Sequence, residues 1–171
     1  MTSRLVLREM TPDDLGDLAS MLQDPVAMVA YEGPFSDEQV QSWLDWQLGL
    51  YERDGYGLWA VTLDGSMIGQ CGITWPNIDG VLRPEIGYHI KRQFWHQGYA
   101  VEAAVACRDY AFDVLDMDEV FAQVRDINIA SMNVAIRVGM TIRFRFIKDY
   151  RGIEMPHYAF SVRRSDIAQS R

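Results

Sequence analysis

A mixed α/β fold is predicted for this 171-residue chain by three observations. Apolar residues alternate with polar ones in a set of short stretches, as in half-buried strands, and recur at helical spacing in others. Two of the early strands flank Asp64-Gly65, a two-residue hairpin signal. Later, a strand, a helix and a strand follow one another as in a crossover connection. The expected order is strand, two helices, three strands, helix, strand, helix, two strands.

Taken in turn, "RLVLREM" (4–10) alternates, with Leu5 and Leu7 on one face. "TPDDLGDLASMLQD" reads as a helix with Thr11 as its cap, Pro12 as its first residue and acids in its first turn. Asp24-Pro25 ends it. Ser36 opens the second helix, on which Trp43, Trp46 or Gln47, and Leu50 share a face, and Gly55 stops it. "YGLWAVTL" and "SMIGQCGITW" make the hairpin, and "PNIDG" is a loop. "RPEIGYHI" is a strand, followed by a helix to about Leu115. "EVFAQV" is a strand, Asn128 to Gly139 a short helix, and "MTIRFRF" and "EMPHYAFSV" are the last strands. Residues 1–171 form one expected domain, with 163–171 as a frayed tail.

Apolar residues make up 49% of the chain and charged residues 23%, with a formal net charge of −8. Such an acid balance argues against a nucleic-acid-binding body, since phosphate affinity rests on a basic surface. It leans towards a cationic substrate. Cys71 and Cys107 sit in apolar patterns and read as buried, reduced thiols; Cys107, mid-helix, is not expected to be a nucleophile. His89, His96 and His157 are far apart and no CxxC occurs, so no metal is expected. Without a secretory leader, a lipidation motif or an apolar run approaching about 18 residues, the expected location is the cytoplasm, with no membrane contact.

The stretch "FWHQGYAVEAA" (94–104) holds the most informative detail. A helix begins near Gly98, yet no Ser, Thr, Asp or Asn stands there to cap it. The first amides of a helix lack internal partners, and the dipole favours an anion beside them. Gly98 permits close approach to the backbone and Ala100 keeps that approach clear, which suits a phosphate-sized anion; for the loop taken alone, water or a nearby carbonyl is the alternative partner. GxGxxG and GxxxxGK[ST] are both absent.

Three motifs around this loop resemble those of the GNAT acetyltransferases, most closely the branch of ribosomal-protein N-terminal acetyltransferases. "WHQGYA" resembles the pyrophosphate loop [Q/R]xxGx[G/A], with Trp95 standing where Gln or Arg is usual. "PEIGYHI" is similar to the branch's fourth strand, and "NIASMNVAIRVGM" to its NxxSxxVxxxxGM segment. The resemblance covers nearly the whole chain. It implies a mostly antiparallel, twisted sheet of about seven strands with about four helices, and a splayed cleft between strands four and five. It also implies acetyl-coenzyme A as co-substrate. The pyrophosphate would sit on the amides of Gln97, Gly98, Tyr99 and Ala100 beside Trp95. The pantetheine arm would run beside Tyr88, His89 and Ile90. Asn128 would contact the cofactor or fix the adjoining turn, the latter as a plain N-cap.

Amide formation needs a neutral amine, a polarised thioester and an acid for the leaving thiolate. An α-amine, with pKa near about 8, is neutral in roughly a tenth of molecules at pH 7, whereas a lysine costs about 4–5 kcal/mol to deprotonate. Glu85 is the candidate base, sharing a strand face with Gly87 and His89. Ser131, three residues after Asn128, matches the branch's serine and is the candidate acid; otherwise it bonds its local backbone. A main-chain amide near His89 or Ile90 would stabilise the oxyanion. His89 itself is a candidate proton relay. Tyr31, Phe35 and Trp75, with Trp43, are candidates to line the acceptor pocket unless they belong to the core. His157 and Tyr158 are candidates to face the acceptor. The expected partner is an amine, either a protein N-terminus or a small molecule, and the chain a monomer or homodimer. A coenzyme A-binding module of the same fold without turnover is the alternative.

Overall fold

The computed structural model describes residues 1–31, 33–150 and 152–168. Strand β1 (Val6–Arg8) is followed by a 3-10 turn (Pro12–Asp14) and helix α1 (Leu15–Leu22), so the expected first helix arrives in two pieces. The tie at its start comes from Asp14 as well as Thr11. The buried Asp14 carboxylate accepts from the Thr11 amide at 2.8 Å and takes the Arg8 guanidinium through contacts of 2.7 and 2.8 Å. Helix α2 (Asp37–Asp54) begins with a reciprocal cap: Ser36 Oγ accepts from the Gln39 amide at 3.2 Å and Gln39 Oε1 from the Ser36 amide at 2.8 Å. Its buried face is Val40, Leu44, Gln47, Leu50 and Tyr51. Trp46 turns outward instead, 44% exposed. Gln47 faces inward because its Oε1 accepts from the Leu58 amide at 2.8 Å.

Strands β2 (Leu58–Leu63) and β3 (Ser66–Thr74) form the expected hairpin. Asp64 and Gly65 both have positive φ, 50° and 82°, as a type I′ turn requires. A second hairpin, β4 (Asn77–Ile78) and β5 (Val81–Leu82), stands where a loop was expected. Two residues per strand leave no alternation to read. Ile78 plugs it into the core against Phe121, Phe146 and Ala159.

The rest runs β6 (Glu85–Ile90), α3 (Tyr99–Asp113), β7 (Glu119–Arg125), α4 (Ile129–Arg137), β8 (Thr141–Tyr150) and β9 (Ile153–Arg163). The frayed tail expected from residue 163 is corrected in part. Arg163 ends β9, and Arg164–Ala168 form α5, with Arg164 bonded to Asp116 at 2.8 Å and to the Met117 carbonyl. Residues 169–171 lie outside the described residues.

Seven strands make one sheet in the order β1-β2-β3-β6-β7-β9-β8. All neighbours are antiparallel except β6 and β7, which run parallel and meet at one register pair, Glu85 with Phe121. Beyond that pair the two strands part. Helices α1 and α2 cover one face, packing Leu18, Leu22, Val40 and Leu44 on Leu58, Ala60 and Met67. Helix α3 covers the other, with Ala103, Cys107 and Phe112 against Ile68, Ile73, Ile86 and Val120. A buried aliphatic or aromatic side chain of this kind contributes about 1.5–3 kcal/mol. Both faces of the sheet are thereby covered on either side of the gap between β6 and β7.

Candidate active site

The gap between β6 and β7 opens into a cleft of about 400 Å³. Side-chain alternation along β6 sends Glu85, Gly87 and His89 to the α1/α2 face and Ile86, Tyr88 and Ile90 to the α3 face. Glu85, Tyr88, His89, Asn128, Ser131, Tyr31, Phe35 and His157 all line this cleft. Residues far apart in sequence thus converge because one parallel pair fails to zip.

Glu85 sits at the closed end. Burial pushes its carboxyl up to about 7, against a smaller opposing pull from the Gln123 side-chain hydrogen bond and the charge of Lys148. Its Oε2 is buried and has no partner among the described residues. A carboxylate that half-ionises near neutrality suits proton abstraction from an amine.

His89 is set by two hydrogen bonds. Trp43 Nε1 donates to Gln70 Oε1 at 3.0 Å. An indole can only donate, so the Gln70 amide is oriented with Nε2 towards His89 Nδ1, 3.2 Å away. Nδ1 therefore accepts, and the proton of the neutral ring lies on Nε2. Burial pushes this imidazole down to about 4, so it is neutral at pH 7. Nε2 is buried without a partner among the described residues. As placed, His89 offers the cleft a donor rather than the basic nitrogen a relay needs. His157 has the opposite arrangement: Nδ1 donates to the Met155 carbonyl at 2.8 Å, leaving the lone pair on Nε2.

Asn128 is committed as an N-cap, its Oδ1 accepting from the Ser131 amide at 3.1 Å. The Tyr88 hydroxyl donates to the Ser131 carbonyl at 2.8 Å. These two bonds clamp the first turn of α4 to β6 and hold Ser131 at the cleft.

The loop before α3 lies at the end of β6. Gly98 is the N-cap of α3 with φ 80° and no side-chain cap bond, and His96 is also left-handed at φ 61°. A Cβ at Gly98 would meet only Arg4 Nη2, at 3.5 Å, so the backbone stays open to a ligand. These features fit a diphosphate: a helix start without a side-chain cap, a glycine with open space beside it, and a nearby cation. That cation, Arg4, went unrecognised in the sequence. Glu102 grips its Nε at 2.7 Å, Nη1 donates to the Gln97 carbonyl at 3.1 Å, and the guanidinium lies 4.6 Å over the Tyr99 ring. Nothing local links residues 4 and 102, so no sequence signal could have joined them. Trp95 folds back, its indole donating to the Ile90 carbonyl at 2.6 Å. The indole thereby takes one of that carbonyl's two acceptor positions, and Tyr88 and His89 lie on the unzipped edge of β6.

Trp75 does not line the cleft. It is 45% exposed, and its indole donates to the Tyr56 hydroxyl at 2.9 Å. Tyr158 does not line it either, whereas Trp43 and Trp46 do, together with Gln123 and Arg125, which sequence reasoning passed over. Gln123 and Arg125 alternate on β7 as Glu85 and His89 do on β6, and that shared period was the available signal. Cys107 Sγ lies buried 3.5 Å from Cys71 Sγ, away from the site. Among the described residues no three His, Cys, Asp or Glu side chains gather as a metal ion would need, and no helix is long and apolar enough to cross a membrane.

Residues 4–141 match the acetyltransferase (GNAT) domain family. Protein YkkB of Bacillus subtilis, uncharacterised, is 36% identical over 143 residues, covering 82% of this chain and 83% of its own. FsC-acetyl coenzyme A-N(2)-transacetylase of Aspergillus fumigatus is 30% identical over 152 residues, covering 81% of this chain and 64% of its own. The structure of RimL, a ribosomal L7/L12 alpha-N-protein acetyltransferase in complex with coenzyme A, superposes with a TM-score of 0.78. It is 19% identical and covers 95% of each chain, a likeness of fold.

Proposed function

The chain belongs to the GNAT acetyltransferase family, and we propose that it moves the acetyl group of acetyl-coenzyme A to a primary amine by direct attack within a ternary complex. The observation that carries this reading is Glu85, a carboxyl held up to about 7 by burial at the closed end of the unzipped strand pair. The co-substrate supplies an activated acetyl thioester. On this reading the amides of Gln97, Gly98, Tyr99 and Ala100, with Arg4 beside them, hold the diphosphate, and the open edge of β6 at Tyr88 and His89 receives the arm that follows. Glu85 takes a proton from the incoming amine, directly or through water, Ser131 donates one to the departing sulfur, and the proton held by Glu85 returns to Ser131 through solvent as the products leave. Asn128 serves by fixing the turn that carries Ser131. The same reading treats residues 1–171 as one cytoplasmic enzyme domain, monomeric or homodimeric.

Thiol release from acetyl-coenzyme A with an amine panel tests it. The expected kcat/KM rises with pH through a midpoint near 7 as Glu85 ionises. Glu85→Gln is expected to flatten that limb and to lower turnover by about 10²- to 10⁴-fold. Full turnover in the variant with an unaltered pH profile would remove Glu85 as the base.

A further inference from the structure

Six buried side-chain polar atoms lack a hydrogen-bond partner among the described residues, and four of them belong to residues lining this one cleft: Glu85 Oε2, Gln123 Oε1, His89 Nε2 and Arg125 Nε. Buried polar atoms are ordinarily paired, so a cluster of unmet ones marks where a ligand completes the bonding. Their chemistry sorts them by position. β6 and β7 run parallel from Glu85 opposite Phe121. Counting along both strands brings Gly87 level with Gln123 and His89 level with Arg125, all on the α1/α2 face. The closed end thus presents two oxygen acceptors. Four residues past Glu85 and two past Gln123, about 13 and about 7 Å along the strands, the open end presents two N–H donors.

We infer that the acceptor carries a hydrogen-bond-accepting oxygen several bonds from its amine, and that His89 and Arg125 hold this oxygen while Glu85 and Gln123 receive the amine. The inference rests on the reading of the cleft as the acceptor site. His89 suits the part because the Trp43–Gln70 pair locks its proton on Nε2. Arg125 suits it because its Nη1 already leans on the Val29 and Tyr31 carbonyls at 3.4 Å, leaving Nε for the cleft. An extended amino-acyl chain supplies both ends. A polyalkylamine does not: it would set a second ammonium against Arg125 and give His89 nothing to bond. Local charge here opposes the cationic acceptor that the net charge of −8 suggested.

Calorimetric titration of the full chain holding free coenzyme A, which has no acetyl group to transfer, separates binding from turnover. The probes are glycyl-glycinamide, glycylglycine, n-pentylamine and 1,5-diaminopentane. The glycyl compounds are expected to bind at least about tenfold more tightly than either alkyl amine, as sites built to pair a polar group discriminate against its absence. His89→Phe and Arg125→Met should each shrink that preference to about threefold or less, since each removes one of the two donors. Glycylglycine outranking its amide would mark the oxygen as a carboxylate, and the reverse as a neutral carbonyl; both uphold the inference. Equal affinities, diaminopentane binding most tightly, or a preference that survives both variants overturns it. Acetyl transfer is read separately by thiol release, so failure there leaves the wild-type ranking to decide this inference alone.

Discussion

On the proposed mechanism, Glu85 couples function to stability. Its carboxyl ionises near 7 when folded, against 4.5 for an ordinary glutamate, because burial disfavours the charge. Between those two values the folded chain keeps a proton that the unfolded chain has lost. Stability therefore falls as pH rises from about 4.5 to about 7 and is indifferent to this group outside that window, by at most about 3 kcal/mol. Glu85→Gln cannot ionise, so its melting temperature should match the parent at pH 4.5 and exceed it by several degrees at pH 8. An equal difference at both pH values would show that the parent's carboxyl is not perturbed. Alternation alone put Glu85 and His89 on one face. Which nitrogen of His89 carries the proton depends on Gln70 and Trp43, from a different strand and helix, and no spacing in the chain announces that.

At the scale of elements, local patterns were legible where a whole period could be read. The Ser36 cap and Gly55 stop bound α2, and Asp64-Gly65 turns the hairpin, because such chemistry acts on its immediate neighbours. The buried stripe of α2 was not as legible. Its two apolar stripes, one through Trp43 and Trp46 and one through Val40, Leu44 and Tyr51, compete, and the Gln47 bond to Leu58 selects the second. Helix α4 provides a test of cap against cofactor contact. Asn128→Ala should cost about 1 kcal/mol in urea denaturation, while Asn128→Asp, which keeps an acceptor oxygen, should restore most of it. Equal losses in the two variants would mean that the Oδ1 bond to Ser131 is not what stabilises the turn.

Across the whole molecule, Cys71 on β3 and Cys107 on α3 meet at 3.5 Å in the main core, both essentially inaccessible. Burial also pushes the Cys71 thiol up, away from the reactive thiolate. Both should resist aromatic disulfide reagents in native buffer and label only as fast as the chain opens globally, with rates that climb with urea as unfolding does. Stoichiometric labelling within minutes in native buffer would show that α3 detaches locally. The sheet order, with β6 beside β7 and β9 inside β8, shows the same dependence on distant partners. By itself the sequence determined the kinds of elements, their order, the uncapped glycine before α3 and the motifs that mark the family, since each is written within a few residues. Only the tertiary structure decided where β6 and β7 part, how Arg4 reaches the loop from nearly a hundred residues away, and which unmet donors and acceptors share the cleft. Those are contacts between segments distant in the chain, settled by packing, and their energies have no counterpart in any local pattern.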